Sequence, residues 1–169
     1  MNSFVYHATD ESGTAALGAA LGELLPDGAI VALCGTLGAG KTRLVQALAA
    51  AVGVRPGQAV SPTFVLIQEY HGRRSVYHID AYRLRDEDEF LDLGPDEYFE
   101  SAGITLIEWA DRVEGALPDE RIEIHLTITG KRSRRFEIHA TSDRDAPAIQ
   151  RLGTWARQPP AGPGEQQKG

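Results

Sequence analysis

Cysteine is almost missing from this sequence of 169 residues, and so are long apolar segments. Because Cys34 is the only cysteine, the chain can form neither an internal disulfide nor a cysteine-based zinc site, and we expect Cys34 to be a small buried side chain. No apolar run approaches the ~20 residues that span a bilayer, and the first residues lack a secretory pattern. The sequence therefore favours a cytoplasmic protein with no membrane contact.

Acidic residues are concentrated in one segment. Residues 86–120 contain thirteen Asp or Glu and one Arg, which leaves a net charge of −12. Such a segment is typical of a solvated face, and the alternative is a surface for a basic protein partner. In either case its charge would repel the phosphates of a nucleic acid.

The strongest motif lies between an apolar run that ends at Cys34 and a segment of helical composition. Residues 35–42 read GTLGAGKT, and all eight positions fit the phosphate-binding loop G-x-x-x-x-G-K-[ST]. Glycines let the backbone N–H groups approach a polyphosphate closely, and the following helix adds its partial positive charge. We expect Lys41 to reach the β- and γ-phosphates and the Thr42 hydroxyl to bind Mg²⁺. The residues expected to bind the nucleotide are Gly38, Ala39, Gly40, Lys41, Thr42 and Arg43.

A second loop follows the helix. Pro62 favours extended geometry at Ser61, so the hydroxyls of Ser61 and Thr63 lie on a loop. In one interpretation Thr63 reaches Mg²⁺ and the terminal phosphate and acts as a switch. In the other, these hydroxyls only stabilise a turn.

Two acidic residues stand at the ends of predicted strands. Asp80 closes SVYHID, where a ligand of Mg²⁺-bound water or a general base would lie. Glu108 closes the buried strand ITLIE, and a carboxylate there needs a partner, for which Mg²⁺ is the obvious candidate. His78 shares a face with Asp80, but Mg²⁺ prefers oxygen ligands, so a packed histidine is the better interpretation.

The alternation of strand and helix predicts an α/β fold, with a mixed sheet like that of P-loop NTPases, helices on both faces and a C-terminal antiparallel hairpin. The turn of this hairpin carries Lys131, Arg132, Arg134 and Arg135, which could bind RNA or a nucleotide phosphate or could serve solubility. We expect a domain over residues 1–141, an extension over 142–157 and a disordered tail over 158–169.

Several nucleotide-dependent functions fit these features. Asn2 is the only asparagine, so the chain has no Asn-Lys-x-Asp reader of guanine and a GTPase is disfavoured. A small-molecule kinase remains open, because Arg73, Arg74, Arg83 and Arg85 could form a lid. A nucleotide-dependent switch without hydrolysis also remains open.

Four motifs in this order, GTLGAGKT, SPTF, YHIDAYRL and LIEWADR, resemble the TsaE (YjeE) family over roughly residues 9–130. The resemblance implies an ATPase that uses ATP and Mg²⁺ and is needed for threonylcarbamoyl modification of adenosine 37 in tRNAs that read ANN codons. It also implies TsaB- and TsaD-type partners, with tRNA contacted only through their complex and the modification chemistry carried by TsaD.

The same resemblance assigns roles to individual residues. It implies that residues 61–64 form a switch-like loop, that Asp80, Lys41 and Thr63 are the catalytic candidates, and that Thr42 and Glu108 hold the metal. In the resulting hypothesis Asp80 positions or activates the water that attacks the γ-phosphate. Weak activity without partners is expected, because no arginine finger is evident in the sequence.

Overall fold

The computed structural model describes residues 2–55 and 66–158. Over this part of the chain the strands are β1 (Ser3–Ala8), β2 (Ile30–Gly35), β3 (Ile67–His71), β4 (Ser75–Asp80), β5 (Ile104–Glu108), β6 (Ile122–Ile128) and β7 (Arg134–Ala140). The helices are α1 (Glu11–Leu24), α2 (Lys41–Ala51), α3 (Glu87–Asp92), α4 (Asp96–Phe99), the 3-10 helix Ala110–Ala116 and α5 (Ala146–Arg157).

All the strands belong to one sheet, in the order β1-β7-β6-β2-β5-β4-β3. The central strands β6, β2, β5 and β4 are parallel, and β7, β1 and β3 pair antiparallel at the two sides. Strand β5 is buried at every residue, as expected of an apolar strand covered on both faces. The mixed α/β fold predicted from the sequence is confirmed.

Alternate residues of β2 face two separate cores. Val31 and Leu33 join the core formed with α1, α2 and α5, whereas Ile30 and Ala32 join the core formed with α3 and the 3-10 helix. This division follows from the two-residue period of a strand. Helices therefore cover both faces, also as predicted, and the acidic segment 86–120 supplies most of the second helical layer. No described helix has the length and apolar character required to cross a bilayer.

The C-terminal hairpin lies beside the phosphate loop, because its first strand, β6, is an inner strand of the sheet and not an edge strand. Strand β6 pairs directly with β2, and Gly35 at the end of β2 lies opposite Leu126. The turn between β6 and β7 consequently emerges beside the loop that follows β2. This neighbour relationship determines one wall of the site described below.

Residues 142–157, for which no helix was predicted, contain α5. Ile149 and Leu152 on this helix are 1% and 0% exposed, and the Trp155 ring lies 5.3 Å from the ring of Tyr6 on β1. Apolar residues three apart line one face of a helix, so this pattern buries α5 against the sheet. The extension thus packs on the core shared by α1 and α2.

Candidate nucleotide site

The loop between β2 and α2 has the backbone that an anion-binding loop requires. Gly38 and Gly40 adopt φ angles of +79° and +103°, in the left-handed region that glycine favours. A Cβ at either position would meet no atom within 4 Å, so glycine is needed there for conformation and not for space. Gly40 is also the N-cap of α2. The loop therefore offers backbone N–H groups and a helix N-terminus to a bound phosphate.

Lys41 is buried at the base of this loop. Its Nζ donates to the carbonyl oxygens of Gly35 at 2.6 Å and Thr36 at 3.1 Å, and it lies 3.9 Å from the centre of the Trp109 ring. Burial lowers the pKa of Lys41, while nearby carboxylates, with Glu108 foremost, oppose this shift. The ammonium group is thus positioned to exchange carbonyl oxygens for phosphate oxygens.

Asp80 and Glu108 occupy directly opposed positions at the ends of β4 and β5. Both are buried, at 6% and 3% exposure. Asp80 Oδ1 accepts a hydrogen bond of 2.9 Å from the Tyr82 backbone N–H. Burial raises the pKa of Asp80, the Tyr82 hydrogen bond counteracts that effect, and the negative charge of Glu108 adds to it. The sheet therefore holds two carboxyl groups side by side next to the phosphate loop.

Glu108 is hydrogen-bonded to the first turn of α2. Its Oε1 accepts a bond of 2.8 Å from Thr42 Oγ1 and one of 2.9 Å from His78 Nε2. Since an ionised carboxylate only accepts, Nε2 carries the hydrogen of this histidine. His78 is 1% exposed, in agreement with the packed histidine favoured by the sequence. These bonds bring the predicted metal-binding residues together.

The donor set fits Mg²⁺. Thr42 and Glu108 present two oxygens 2.8 Å apart, and neighbouring ligands of an octahedral shell with bonds of about 2.1 Å lie about 3 Å apart. Among residues 2–55 and 66–158, no three His, Cys, Asp or Glu side chains converge as a metal site. Phosphate oxygens and water would therefore complete the shell, as is usual for Mg²⁺.

Aromatic side chains form the wall beside the two acids. The Tyr82 and Trp109 rings are 4.9 Å apart, and the Arg112 guanidinium lies 5.1 Å from the centre of the Tyr82 ring. Trp109 has a φ angle of +58°, a value that no other non-glycine residue shares in the described part of the chain. This conformation ends β5 and carries the indole to Lys41.

These walls enclose a cavity of about 390 Å³. Every predicted nucleotide-binding, metal-binding and catalytic residue in the described part of the chain lines it. Thr63 lies outside the described residues, as do Ser61 and the rest of the proposed switch loop. The predicted site residues that line the cavity are Gly38, Ala39, Gly40, Lys41, Thr42, Arg43, Asp80 and Glu108.

The arginines proposed as a kinase lid are engaged elsewhere. Arg73 pairs with Glu23 at 2.9 Å, and Arg74 pairs with Asp27 at 3.1 Å. Arg85 pairs with Glu89 one helical turn away, at 3.2 Å. None of these arginines lines the cavity, and neither does Arg83. The geometry consequently offers no support for a lid built from this group.

Comparison with known proteins agrees with the motifs. The family model described as "Threonylcarbamoyl adenosine biosynthesis protein TsaE" matches residues 8–136. The chain belongs to the TsaE family. It is 39% identical over 125 residues to a TsaE protein of Treponema pallidum, with 74% of this chain and 92% of that protein covered. It is 42% identical over 118 residues to TsaE of Bacillus subtilis, with 69% and 73% covered.

A solved structure has the same fold. The crystal structure of YdiB from Bacillus subtilis matches with a TM-score of 0.78 and 29% identity, over 90% of this chain and 95% of that one. The family resemblance carried by the four sequence motifs is confirmed by these matches.

The basic cluster of the β6–β7 turn, for which the sequence left RNA, a nucleotide phosphate and solubility open, lies at the cavity. Lys131, Arg132 and Arg134 all line the cavity, and so do Glu11 and Thr14 at the start of α1. The basic cluster was visible in the sequence, but its position depends on the pairing of β6 with β2, about ninety residues earlier in the chain. No local sequence pattern predicts the pairing of β6 with β2.

Proposed function

We propose that this protein is a Mg²⁺-dependent ATPase that supports threonylcarbamoyl modification of adenosine 37 in tRNA. In this proposal it acts on a complex of TsaB- and TsaD-type proteins and contacts tRNA only through that complex. The observation that carries the proposal is the Thr42–Glu108 hydrogen bond of 2.8 Å at the end of the phosphate loop, with Asp80 opposite Glu108. This arrangement combines a phosphate-binding loop, a site for Mg²⁺ and a further carboxylate.

Each residue has a distinct task in hydrolysis. The loop N–H groups and Lys41 bind the β- and γ-phosphates of ATP, which orients the γ-phosphate toward the two acids. Thr42 and Glu108 would hold Mg²⁺, which supplies positive charge against the charge that develops on the phosphoryl oxygens. Asp80 accepts a hydrogen bond from the attacking water and takes up its proton. Burial raises the pKa of Asp80, which makes it a better proton acceptor than an exposed aspartate.

A protein partner fits the surface around the cavity. Leu37 at the tip of the phosphate loop is 75% exposed, and Tyr82 at the cavity wall is 40% exposed. Exposed apolar side chains beside a nucleotide are suited to contact with another protein. The net charge of −12 over residues 86–120 argues against direct tRNA binding on that face.

The test is phosphate release from ATP with Mg²⁺, with and without the TsaB and TsaD proteins. We expect Lys41→Ala and Asp80→Asn to reduce the partner-stimulated rate by roughly 100-fold or more, because each removes a group that acts on the reacting phosphate or water. Asp119→Asn is the matched control, since it removes one exposed carboxylate far from the cavity and should leave the rate unchanged.

Other outcomes would favour the alternatives. Equal rates for wild type, Lys41→Ala and Asp80→Asn would refute the proposed site. ADP formation that depends on an added metabolite and not on the partners would indicate a kinase. Tight MgATP binding with no turnover under any partner condition would indicate a switch.

A further inference from the structure

Arg112 is the one basic residue of the acidic segment 86–120, which also contains thirteen Asp or Glu. Its side chain is exposed, and it forms no ion pair with any carboxylate in the part of the chain that the structure describes. Glu114, two positions further on, lies 3.8 Å from Arg121 instead. A guanidinium left unpaired among so many acids is available to an anion from outside the chain.

Two aromatic rings hold the Arg112 guanidinium. Its Cζ lies 5.1 Å from the centre of the Tyr82 ring and 5.8 Å from that of the Trp109 ring. Both rings line the nucleotide cavity, although Arg112 is not itself one of the lining residues. The Arg112 backbone N–H donates to the Trp109 carbonyl at 3.0 Å, at the start of the 3-10 helix. Arg112 is therefore fixed beside the cavity wall, next to the strand end that carries Glu108.

The same indole contacts the phosphate-binding lysine. Lys41 Nζ lies 3.9 Å from the centre of the Trp109 ring. A γ-phosphate bound by Lys41 would consequently lie beside this ring, which Arg112 also contacts. Asp80 and Glu108, the acids of the proposed water and metal sites, end the two strands on this side. Arg112 thus lies at the γ-phosphate end of the cavity.

Other cations that line the cavity are engaged or lie on its other side. Arg43 is in an ion pair of 2.8 Å with Glu11, and Arg134 donates to two carbonyls of the phosphate loop. The β6–β7 turn is basic, but β2 lies between β6 and the strands β5 and β4 that end in the two acids. Arg112 is therefore better placed than these cations to act with Lys41 on the γ-phosphate.

A bound phosphate can replace the contact between Arg112 and the rings. An exposed cation is held only weakly by an aromatic ring, whereas a guanidinium forms two charge-assisted hydrogen bonds to phosphate. In hydrolysis the water oxygen bonds to the γ-phosphorus while the bond to the β-phosphate oxygen breaks, and negative charge is spread over the phosphoryl and leaving oxygens. A guanidinium directed at these oxygens stabilises the transition state more than the ground state.

We propose that Arg112 is a catalytic arginine of this site, supplied by the same chain. It turns from the Tyr82 and Trp109 rings into the cavity and donates to the γ-phosphoryl oxygens while ATP is hydrolysed to ADP and inorganic phosphate. Asp80 takes the proton of the attacking water, and Arg112 keeps its own protons throughout. This inference rests on the proposed ATPase function and adds to it an arginine that the sequence pattern alone does not reveal.

The first test measures kcat and KM for ATP with Mg²⁺, with and without the TsaB and TsaD proteins. Arg112→Gln should lower kcat by about 100-fold or more under both conditions and change KM by less than about threefold, because the lost bonds act in the transition state. Arg112→Lys keeps the charge without the planar fork and should recover only part of the rate. The matched control is Arg85→Gln, at an exposed arginine that pairs with Glu89 outside the cavity, and it should leave kcat unchanged.

The second test separates contact with the γ-phosphate from support of the aromatic wall. ADP with aluminium fluoride and Mg²⁺ resembles the phosphoryl group in transfer, whereas ADP alone leaves that position empty. Arg112→Gln should raise the Kd for the aluminium fluoride complex about 100-fold and leave the Kd for ADP within about twofold. Its melting temperature should stay close to that of wild type, because the side chain is exposed. Equal losses for both ligands, or a large fall in melting temperature, would show a structural role and overturn the assignment.

Lys41→Ala distinguishes failure of this inference from failure of the proposed function. If wild type hydrolyses ATP, Lys41→Ala does not, and Arg112→Gln keeps the wild-type kcat, the catalytic arginine is refuted while the site stands. If Arg112→Gln loses only the partner-stimulated rate, together with affinity for the TsaB and TsaD proteins, Arg112 contacts a partner and the inference is overturned. If wild type hydrolyses no ATP under any condition, both proposals fail.

Discussion

Repulsion between the Asp80 and Glu108 carboxylates should lower the free energy of unfolding. These residues are opposed on adjacent strands, and adjacent strands lie about 4.8 Å apart. Two unit charges about 5 Å apart at an effective dielectric constant of about 20 repel by about 3 kcal/mol. Attraction from Lys41 offsets part of this repulsion. We therefore expect Asp80→Asn, which removes one charge, to raise the free energy of unfolding by about 1–3 kcal/mol at pH 7.

The substitution is conservative in shape. The asparagine oxygen can still accept the Tyr82 N–H bond that Asp80 Oδ1 accepts at 2.9 Å. For a chain of this length 1 kcal/mol shifts the melting temperature by about 2–4 °C, so an increase of roughly 5 °C is expected. Thermal unfolding with EDTA, which removes divalent cations, measures it. Asp119→Asn, an exposed control with the same change of charge, should shift the melting temperature by less than about 1 °C.

The pH dependence of the stability tests the direction of this effect independently. The folded-state pKa of Asp80 is raised above its unfolded value. Its contribution to stability is therefore present below the unfolded pKa and is lost as pH rises through the folded pKa. The advantage of Asp80→Asn over wild type should be largest near pH 7–8 and should shrink toward pH ~4.

A double-mutant cycle identifies the interaction responsible. In a Glu108→Gln background the gain from Asp80→Asn should become smaller, because the repelling charge is gone and only the cost of burying the Asp80 charge remains. An Asp80→Asn protein that is no more stable than wild type at pH 7 would refute the reasoning. So would a gain that is independent of pH or of Glu108.

Three further predictions concern other parts of the fold. Burial raises the pKa of the half-buried Cys34 to about 11. Its alkylation by iodoacetamide, followed by mass spectrometry, should therefore be slow at pH 7.5 and accelerate only toward pH ~10. Alkylation of Cys34 at pH 7.5 as fast as that of a free cysteine would contradict this prediction. Gly18→Ala would place a Cβ 2.5 Å from the Ala47 Cβ, so urea unfolding should show a loss of about 1–3 kcal/mol; an unchanged midpoint would show that α1 and α2 can separate freely. Leu152→Ala, on α5, should lower the free energy of unfolding by about 2–5 kcal/mol. Leu91→Ala, at a side chain that is 50% exposed, should lower it by about 0.5 kcal/mol or less. Equal losses would mean that α5 does not share the core.

Features that depend on local pattern could be predicted from the sequence. The phosphate loop is a contiguous motif, and its glycines and lysine must lie together wherever the loop forms. Asp80 and Glu108 could also be expected to meet, because each ends a strand and the carboxyl ends of parallel strands share one edge of a sheet. The structure places both acids in the cavity with the loop.

Features that depend on strand order could not be predicted in this way. Arg134 contacts Ala39 across 95 positions of sequence, and this contact exists only because β6 lies next to β2. The hairpin pattern of residues 121–140 would be the same at either edge of the sheet. Helix α5 was missed for a different reason: its buried residues Ile149 and Leu152 are few, and they stand in a segment rich in charged and small residues.

The same pair of acids links the stability of the fold to the proposed chemistry. Burial and the charge of Glu108 raise the pKa of Asp80, and a carboxylate with a raised pKa is a better acceptor for the proton of an attacking water. The repulsion that makes Asp80→Asn more stable is thus the one that makes Asp80 more basic. Glu108→Gln should weaken both effects together: it should stabilise the fold through relief of repulsion and lower the pKa of Asp80. The pKa of Asp80, followed by NMR titration of the metal-free protein, should then move downward as the stability difference becomes smaller. If the two quantities changed independently, the acids would not act as a coupled pair.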